Sequence, residues 1–361
     1  MKHIHGGVPT LDFQRLGITP REVIDFSVNI SPLGVPEPLL RIWNELSAEI
    51  GQYPTIEGQG LLTLYEEHFQ LDPRYILPGN GSIECIYLVP RVLGFKKVGI
   101  ITPSFFDYER ASRVAGASIV HLPLQVENAF AAPDLEEVER VLGSVDALIL
   151  GNPNNPTGTF YDPQWILDLA DRFPQKWLLI DEAFIHFLEN HEEKTLARQD
   201  RIRPNILVFQ SLTKFYALPG LRLGCVIGAE ETIQRLREQK EPWSINRVAE
   251  KAALQLAHCE DYEAKLRKMI SQERKRIQDQ CRNNPGIHLY PSTANFFLAQ
   301  WKGTENLDDL LADLLSQGLY VRDCRNFKGL EANFFRFAIR TPDENTKLLH
   351  IFNQSRLSVS D

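Results

Sequence analysis

Between residues 97 and 228 the chain alternates short apolar runs with longer amphipathic stretches. "KVGIITP" (97–103), "ASIVHLPL" (117–124), "DALILGNP" (146–153), "KWLLIDEAF" (176–184), "NILVFQSLT" (205–213) and "RLGCVIG" (222–228) read as strands. Several are continuously apolar, the pattern of strands covered on both faces. Between them "DYERASRVAG" (107–116), "DLEEVERVLG" (134–143) and "DPQWILDLADRF" (162–173) have helical periodicity. "APDLEEV" and "YDPQWI" open with an aspartate or proline where a first helical turn favours one. The alternation predicts an α/β unit, a mostly parallel sheet with helices on both faces.

After "KEPWSIN" (240–246) the pattern changes. Residues 247–283 show no strand signal and predict a long helical stretch. "IHLYPSTANFFLAQW" (287–301), "ENLDDLLADLLSQG" (305–318), "LYVRDC" (319–324) and "FFRFAIRT" (334–341) then mix strands with a helix, as a smaller α+β domain would. The Pro- and Gly-rich "DFSVNISPLGVPEPL" (25–39) predicts a segment that crosses to that domain. The expected division is 1–45, an N-terminal segment packing with the small domain, 46–245, a large domain, and 246–361, the small domain. No repeat or low-complexity tract interrupts it, and only the end, "RLSVSD", reads as a disordered tail.

Composition narrows the function classes. The 361 residues exceed one small core, and 43% hydrophobic with 24% charged residues is ordinary for a soluble globular protein. A net charge of −8 argues against nucleic-acid or membrane-surface binding, which usually needs a basic face. The start, "MKHIHGGVPT", lacks the apolar core of a secretory signal, and no run is long enough to span a bilayer. Five scattered cysteines without a C-x-x-C pair read as reduced thiols of a cytoplasmic protein. The nine histidines form no ligand-spaced cluster, so no structural metal is expected.

In open α/β sheets ligands sit beyond the carboxyl ends of the strands. Polar groups collect there: "GNPNNPTG" (151–158) with Asn155, "DEAF" (181–184) with Asp181, and "SLTK" (211–214) with Ser211, Thr213 and Lys214. The Gly-rich turn "LPGNGSIECI" (77–86) runs into a helix, where the amides of Gly81, Ser82 and Ile83 could hold a phosphate. Lys214, alone in apolar surroundings near Arg222, is expected to have a depressed pKa and to attack a carbonyl as a neutral amine. Asp181, at the end of a buried strand, needs a buried cation. Aldehyde, pyridinium nitrogen and phosphate occur together in pyridoxal phosphate. Taken singly, each string has an ordinary structural reading: a turn, a rigid loop, a helix cap, a snorkelling lysine. Their joint placement at successive strand ends favours the chemical one.

"NPNNPTG", "DEAF", "SLTKFYALPGLRLG" and "FRFAIR" resemble fold-type I pyridoxal-phosphate enzymes of the aminotransferase class. "HGG" (5–7), "DFSVNISPLG" (25–34), "PWSIN" (242–246) and "VRDCRNFKGL" (321–330) are most similar to its branch of L-threonine-O-3-phosphate decarboxylases of cobalamin synthesis, relatives of the histidinol-phosphate aminotransferases. The resemblance covers nearly the whole chain. It implies that Lys214 bonds the cofactor aldehyde, Asp181 pairs with the pyridinium nitrogen, Asn155 binds the ring O3′ and Phe105 stacks on the ring. Ser211, Thr213, Arg222 and the amides around Gly81, Ser82 and Ile83 would hold the cofactor phosphate. Tyr53 would reach the phosphate of a neighbouring subunit, implying a homodimer with shared sites. Arg336 would bind the substrate carboxylate; His5, Asn29, Arg322 and Arg340 would divide the substrate phosphate and carboxylate between them.

Aminotransferases of this class carry a tyrosine after "DEA"; here Phe184 stands instead, removing one donor to the ring oxygen. The implied reaction is decarboxylation of L-threonine O-3-phosphate to (R)-1-amino-2-propanol O-2-phosphate and carbon dioxide. Alternatives are preference for L-serine O-phosphate, one methyl smaller, amino transfer to or from histidinol phosphate, or a non-catalytic scaffold.

Overall fold

A computed structural model describes residues 7, 23–303, 306–330 and 332–354. The chain start, including His5, and the "RLSVSD" end lie outside the described residues. Strands are numbered along the chain. β1 (Ile24–Asp25) lies apart from the main sheet. That sheet has seven strands: β2 (Ile76–Asn80), β3 (Lys97–Thr102), β4 (Ser118–Pro123), β5 (Ala147–Gly151), β6 (Trp177–Asp181), β7 (Ile206–Ser211) and β8 (Leu223–Gly228). Their spatial order is β2-β8-β7-β6-β5-β3-β4. The run from β4 to β7 is parallel, and β8 is antiparallel to both its neighbours.

The continuous apolar runs arise because successive strand residues enter different cores. Ala147 and Ile149 pack on one face, Leu148 and Leu150 on the other; Leu179 and Phe209 likewise oppose Ile180 and Val208. β2 is a strand where a turn leading into a helix was expected, because Pro78 and Gly79 are poor strand residues. The edge of the sheet tolerates a proline that cannot donate to a second neighbour. The three expected helices form at Phe106–Val114, Leu135–Ser144 and Pro163–Arg172. Asp162 caps the last by accepting from Gln164 N at 2.7 Å, whereas Asp134 occupies the N-cap position without a side-chain cap bond.

The expected helical stretch 247–283 breaks into Arg247–Leu256 and Glu260–Cys281. The first packs on the helix Gln59–Glu67, and Thr55 N donates to Glu250 Oε2 at 3.0 Å. This helix therefore lies against the part of the chain that precedes the main sheet. The loss of strand signals marks only the end of the sheet. Beyond it, β9 (Ile287–Leu289), β10 (Phe296–Trp301), β12 (Arg322–Asp323) and β13 (Phe334–Ala338) make a second sheet ordered β12-β13-β10-β9. β11 (Leu319–Tyr320) pairs in parallel with β1. The N-terminal segment thereby crosses the molecule: Ala338 N donates to Phe26 O, and Ser31 N to Lys214 O, both at 2.8 Å.

Candidate active site

β5, β6 and β7 end side by side, with Gly151 in register with Asp181 and Asp181 with Phe209. Beyond these ends lie two adjoining cavities. The inner one, about 460 Å³, is lined by Ser82, Phe105, Asp181, Ser211, Lys214 and Arg222, among others. The outer one, about 490 Å³, adds Asn29, Arg322 and Arg336. Phe105, Asn155, Phe184, Lys214 and Arg222 line both.

Lys214 occupies the short helix Leu212–Phe215 directly after β7. Its Nζ lies 3.4 Å from Ser211 Oγ. Burial is the main cause that lowers its pKa, to about 8; nearby Arg222 adds to this and the charge of Asp181 opposes it. A substantial fraction of the amine is therefore neutral near pH 8. Asp181 is buried. It accepts from Tyr108 OH at 2.7 Å and from Ala183 N at 3.0 Å. Burial raises its pKa despite these donors and the charge of Lys214. Among the described residues no cation forms an ion pair with it.

The turn before the helix Ser82–Leu93 faces the turn that carries Arg222. Gly81 N donates to Arg222 O at 2.8 Å. A Cβ on Gly81 would lie 2.5 Å from Arg222 Nη2, and its φ of 73° also calls for glycine. Arg222 itself is held at φ 60°, left-handed for a non-glycine residue. The helix has no side-chain cap, so its first amides stay available at its positive end. The Thr213 hydroxyl, by contrast, donates to Leu223 O at 3.3 Å, and Thr213 lines the outer cavity rather than the inner one.

The outer cavity is cationic. β12 and β13 place Arg322 directly opposite Arg336, and both are buried. Like charges directly opposite across a strand pair are destabilising. Arg336 Nη2 donates to Ser27 O at 2.8 Å and Nη1 to Asn155 Oδ1, while its Nε is buried without a partner. Burial pushes its pKa down to about 10, and Arg322 contributes to the shift. Arg322 Nη2 donates to Asn326 Oδ1 at 2.8 Å, with the guanidinium over the Phe327 ring. Asn29 Oδ1 is buried and unpartnered. Phe184 packs edge-on against Phe296 with ring centroids 5.1 Å apart.

Two expected site residues stand apart. Arg340 donates to Asp25 O and pairs with Glu344 at 2.9 Å, and it lines neither cavity. Placing it with the substrate anions, as the resemblance implied, is thus corrected. Tyr53 is exposed and lines neither cavity; its ring lies 6.0 Å from that of Trp243. Of the N-terminal "HGG" only Gly7 is described, and its N–H donates to Ser27 Oγ at 2.8 Å. Sequence reasoning missed Tyr108. Its signal is spacing, since it follows Phe105 by three residues and therefore shares its side of the helix start.

The inner cavity fits pyridoxal phosphate. It offers a partly neutral amine for the aldehyde, a buried carboxylate lacking a cation for the ring nitrogen, and an arginine with open helix amides for the phosphate. Among the described residues no His, Cys, Asp or Glu group is placed to hold a metal, and no helix is long and apolar enough to cross a membrane.

Residues 21–352 match the model of the family "Aminotransferase class I and II". The chain is 33% identical over 348 residues to threonine-phosphate decarboxylase of Salmonella typhimurium, covering 96% of this chain and 94% of that one. Histidinol-phosphate aminotransferase from Clostridium acetobutylicum superposes with a TM-score of 0.85 at 30% identity, over 92% of this chain and 99% of that one. L-threonine-O-3-phosphate decarboxylase from Porphyromonas gingivalis has the same fold, with a TM-score of 0.81 at 24% identity, over 91% and 98% of the two chains. The strand-end lysine, the buried aspartate and the fold that joins them thus have a common explanation: this chain belongs to the class I and II aminotransferase family of pyridoxal-phosphate enzymes.

Proposed function

We propose that the protein decarboxylates L-threonine O-3-phosphate to (R)-1-amino-2-propanol O-2-phosphate, supplying the nucleotide loop of cobalamin. The observation that carries this reading is the facing buried pair Arg322 and Arg336 beside Lys214. A pair of cations held against their own repulsion suits a substrate bearing two anionic groups. The near full-length likeness to the Salmonella enzyme supports the same choice.

Lys214 would bond the cofactor, Asp181 would keep its ring nitrogen protonated, and Asn155 would donate to its ring oxygen. Ser82, Ile83, Ser211 and Arg222 would hold its phosphate, and Phe105 would cover its ring. Bound there, pyridoxal phosphate supplies an electron sink for whichever substrate bond at Cα stands perpendicular to its ring. The chain's own work is orientation. Arg336, fixed by Ser27 and Asn155, binds the carboxylate, while Arg322 and Asn29 take the distal phosphate together with His5. Once carbon dioxide has left, Lys214 provides the proton at Cα.

A homodimer completes the site. Tyr53, Ile56 and Trp243 leave apolar surface exposed in one place, with Trp243 N donating to Ile56 O at 3.3 Å, and support a subunit contact through which Tyr53 reaches the partner's cofactor phosphate. Five buried cysteines without a disulfide support a cytoplasmic setting.

Product analysis tests the reading. L-threonine O-phosphate, L-serine O-phosphate and histidinol phosphate are each supplied with and without 2-oxoglutarate. Carbon dioxide release from the first, independent of 2-oxoglutarate, is expected; keto-acid-dependent amino transfer from histidinol phosphate overturns it.

A further inference from the structure

The outer cavity has a third cation beside its arginine pair. Lys328 lines it on the loop that also carries Asn326 and Phe327. Two successive tight turns shape this loop: Phe327 N donates to Cys324 O at 3.0 Å and Leu330 N to Phe327 O at 3.1 Å. Gly329 lies beside Pro103, so the loop reaches from the small sheet to the segment that carries Ser104, Phe105 and Phe106 on the opposite wall. Lys328 is exposed, and no ion pair or hydrogen bond of its side chain occurs among the described residues. Glu109, the acid among the described residues lining this cavity, is already occupied: it accepts from Arg113 Nε at 2.8 Å and lies 3.3 Å from His121 Nε2.

With Arg222 assigned to the cofactor phosphate, the cavity opposes Arg336, Arg322 and Lys328 to an incoming substrate. A phosphorylated amino acid brings a carboxylate and a phosphate monoester of about −1.5 to −2 charge near neutral pH. With the substrate amine committed to the cofactor and so not counted, these anionic groups sum to about −2.5 to −3, which three cations offset and two arginines leave roughly 0.5–1 short. An ammonium on a flexible stem is a compact charge that can follow a phosphate, unlike the fixed fork of an arginine held by Asn326. We propose that Lys328 is a specificity-determining residue that pairs with the second negative charge of the substrate's distal phosphate. The inference rests on the phosphorylated-substrate reading above.

The test is calorimetric binding of 1-amino-2-propanol O-phosphate to the holoenzyme, with 1-amino-2-propanol as the phosphate-free control, alongside carbon dioxide release from L-threonine O-phosphate. Neither binding reaction needs turnover. Lys328→Ala is expected to raise Kd for the phosphorylated amine roughly three- to tenfold above about pH 7, where the phosphate is dianionic. The two curves converge near about pH 5, where it is a monoanion. Lys328→Arg restores binding, and Kd for the control does not move. Equal Kd values for wild type and Lys328→Ala at every pH overturn the assignment, as does an equal loss for the control. If the Kd ratio appears but no phosphorylated amino acid releases carbon dioxide, the decarboxylase reading fails while the assignment stands. If Lys328→Ala binds like wild type and still releases carbon dioxide, the reverse holds.

Discussion

The two cavities share a wall but are built differently. The inner one is made from the ends of a sheet buried on both faces, and two of its charged groups are tempered by neighbours: Lys214 by Asp181, and Asp181 by Tyr108 and Ala183 N. The outer one is assembled from the N-terminal segment, two short strands and a loop, and its two arginines stand directly opposite one another. The inner cavity can fix a group that stays, with polar partners preset by rigid elements. The outer cavity gathers cations that an anionic visitor can engage.

Substitutions can break this contrast. The largest effect belongs to the inner cavity. Lys214→Ala is expected to lower kcat/KM by about 10⁴-fold or more, the upper end of what an acid–base group contributes. Mass spectrometry after borohydride treatment should find no cofactor fixed to the chain. Arg336→Met, in the outer cavity, should lower kcat/KM by ~10²-fold while cofactor affinity holds, because a buried charge contact to substrate is worth about 2–5 kcal/mol. The same change relieves a buried like-charge pair, so the Tm of the substrate-free protein should stay level or rise. A large fall in Tm would mean that the arginine pair is structural.

Tyr108→Phe sharpens the comparison from the inner side. Loss of a hydrogen bond to a charged group, about 1.5–3 kcal/mol, should raise the cofactor Kd by tenfold or more with substrate KM unchanged. The lost donor favoured ionised Asp181, so its pKa moves further up and cofactor affinity should fall more steeply as pH decreases. The smallest effect is in the wild type. Only neutral Lys214 attacks the aldehyde, so the rate of reconstitution should rise with pH and level off above about 8. From pH 7 to pH 8 the gain should be about fivefold, followed by the appearance of cofactor absorbance.

The inner cavity was largely legible in the sequence, because apolar runs announce strand ends and the residues after them are local in sequence. Lys214 and Asp181 could each be placed that way, and Arg222 by its nearness to Lys214 in the chain. Tyr108 escaped because its partner lies 73 residues further on. The outer cavity was legible only by resemblance. Its central feature, the opposition of Arg322 and Arg336, depends on the register of two strands, which a one-residue slip would abolish and which no string of letters states. Nothing in the sequence singles out Lys328; only the fold brings it to the cavity that Arg322 and Arg336 also line. The misplacement of Arg340 also came from the resemblance, and only the three-dimensional fold shows that this arginine is already engaged by Glu344.

The pairing of β1 with β11 has a consequence for the order in which the molecule is made. Ile24 finds Leu319, and Phe26 finds Ala338, roughly 300 residues later in the chain. At ~5–20 residues per second, the ribosome separates these partners by roughly 15–60 s. The seven-stranded sheet and its lysine are complete long before that interval ends, whereas the segment carrying Asn29 waits for the last strands to emerge. The lining of the inner cavity is therefore synthesised before the outer cavity can close. The contacts that close this gap span most of the chain, so they are expected to form last in refolding as well.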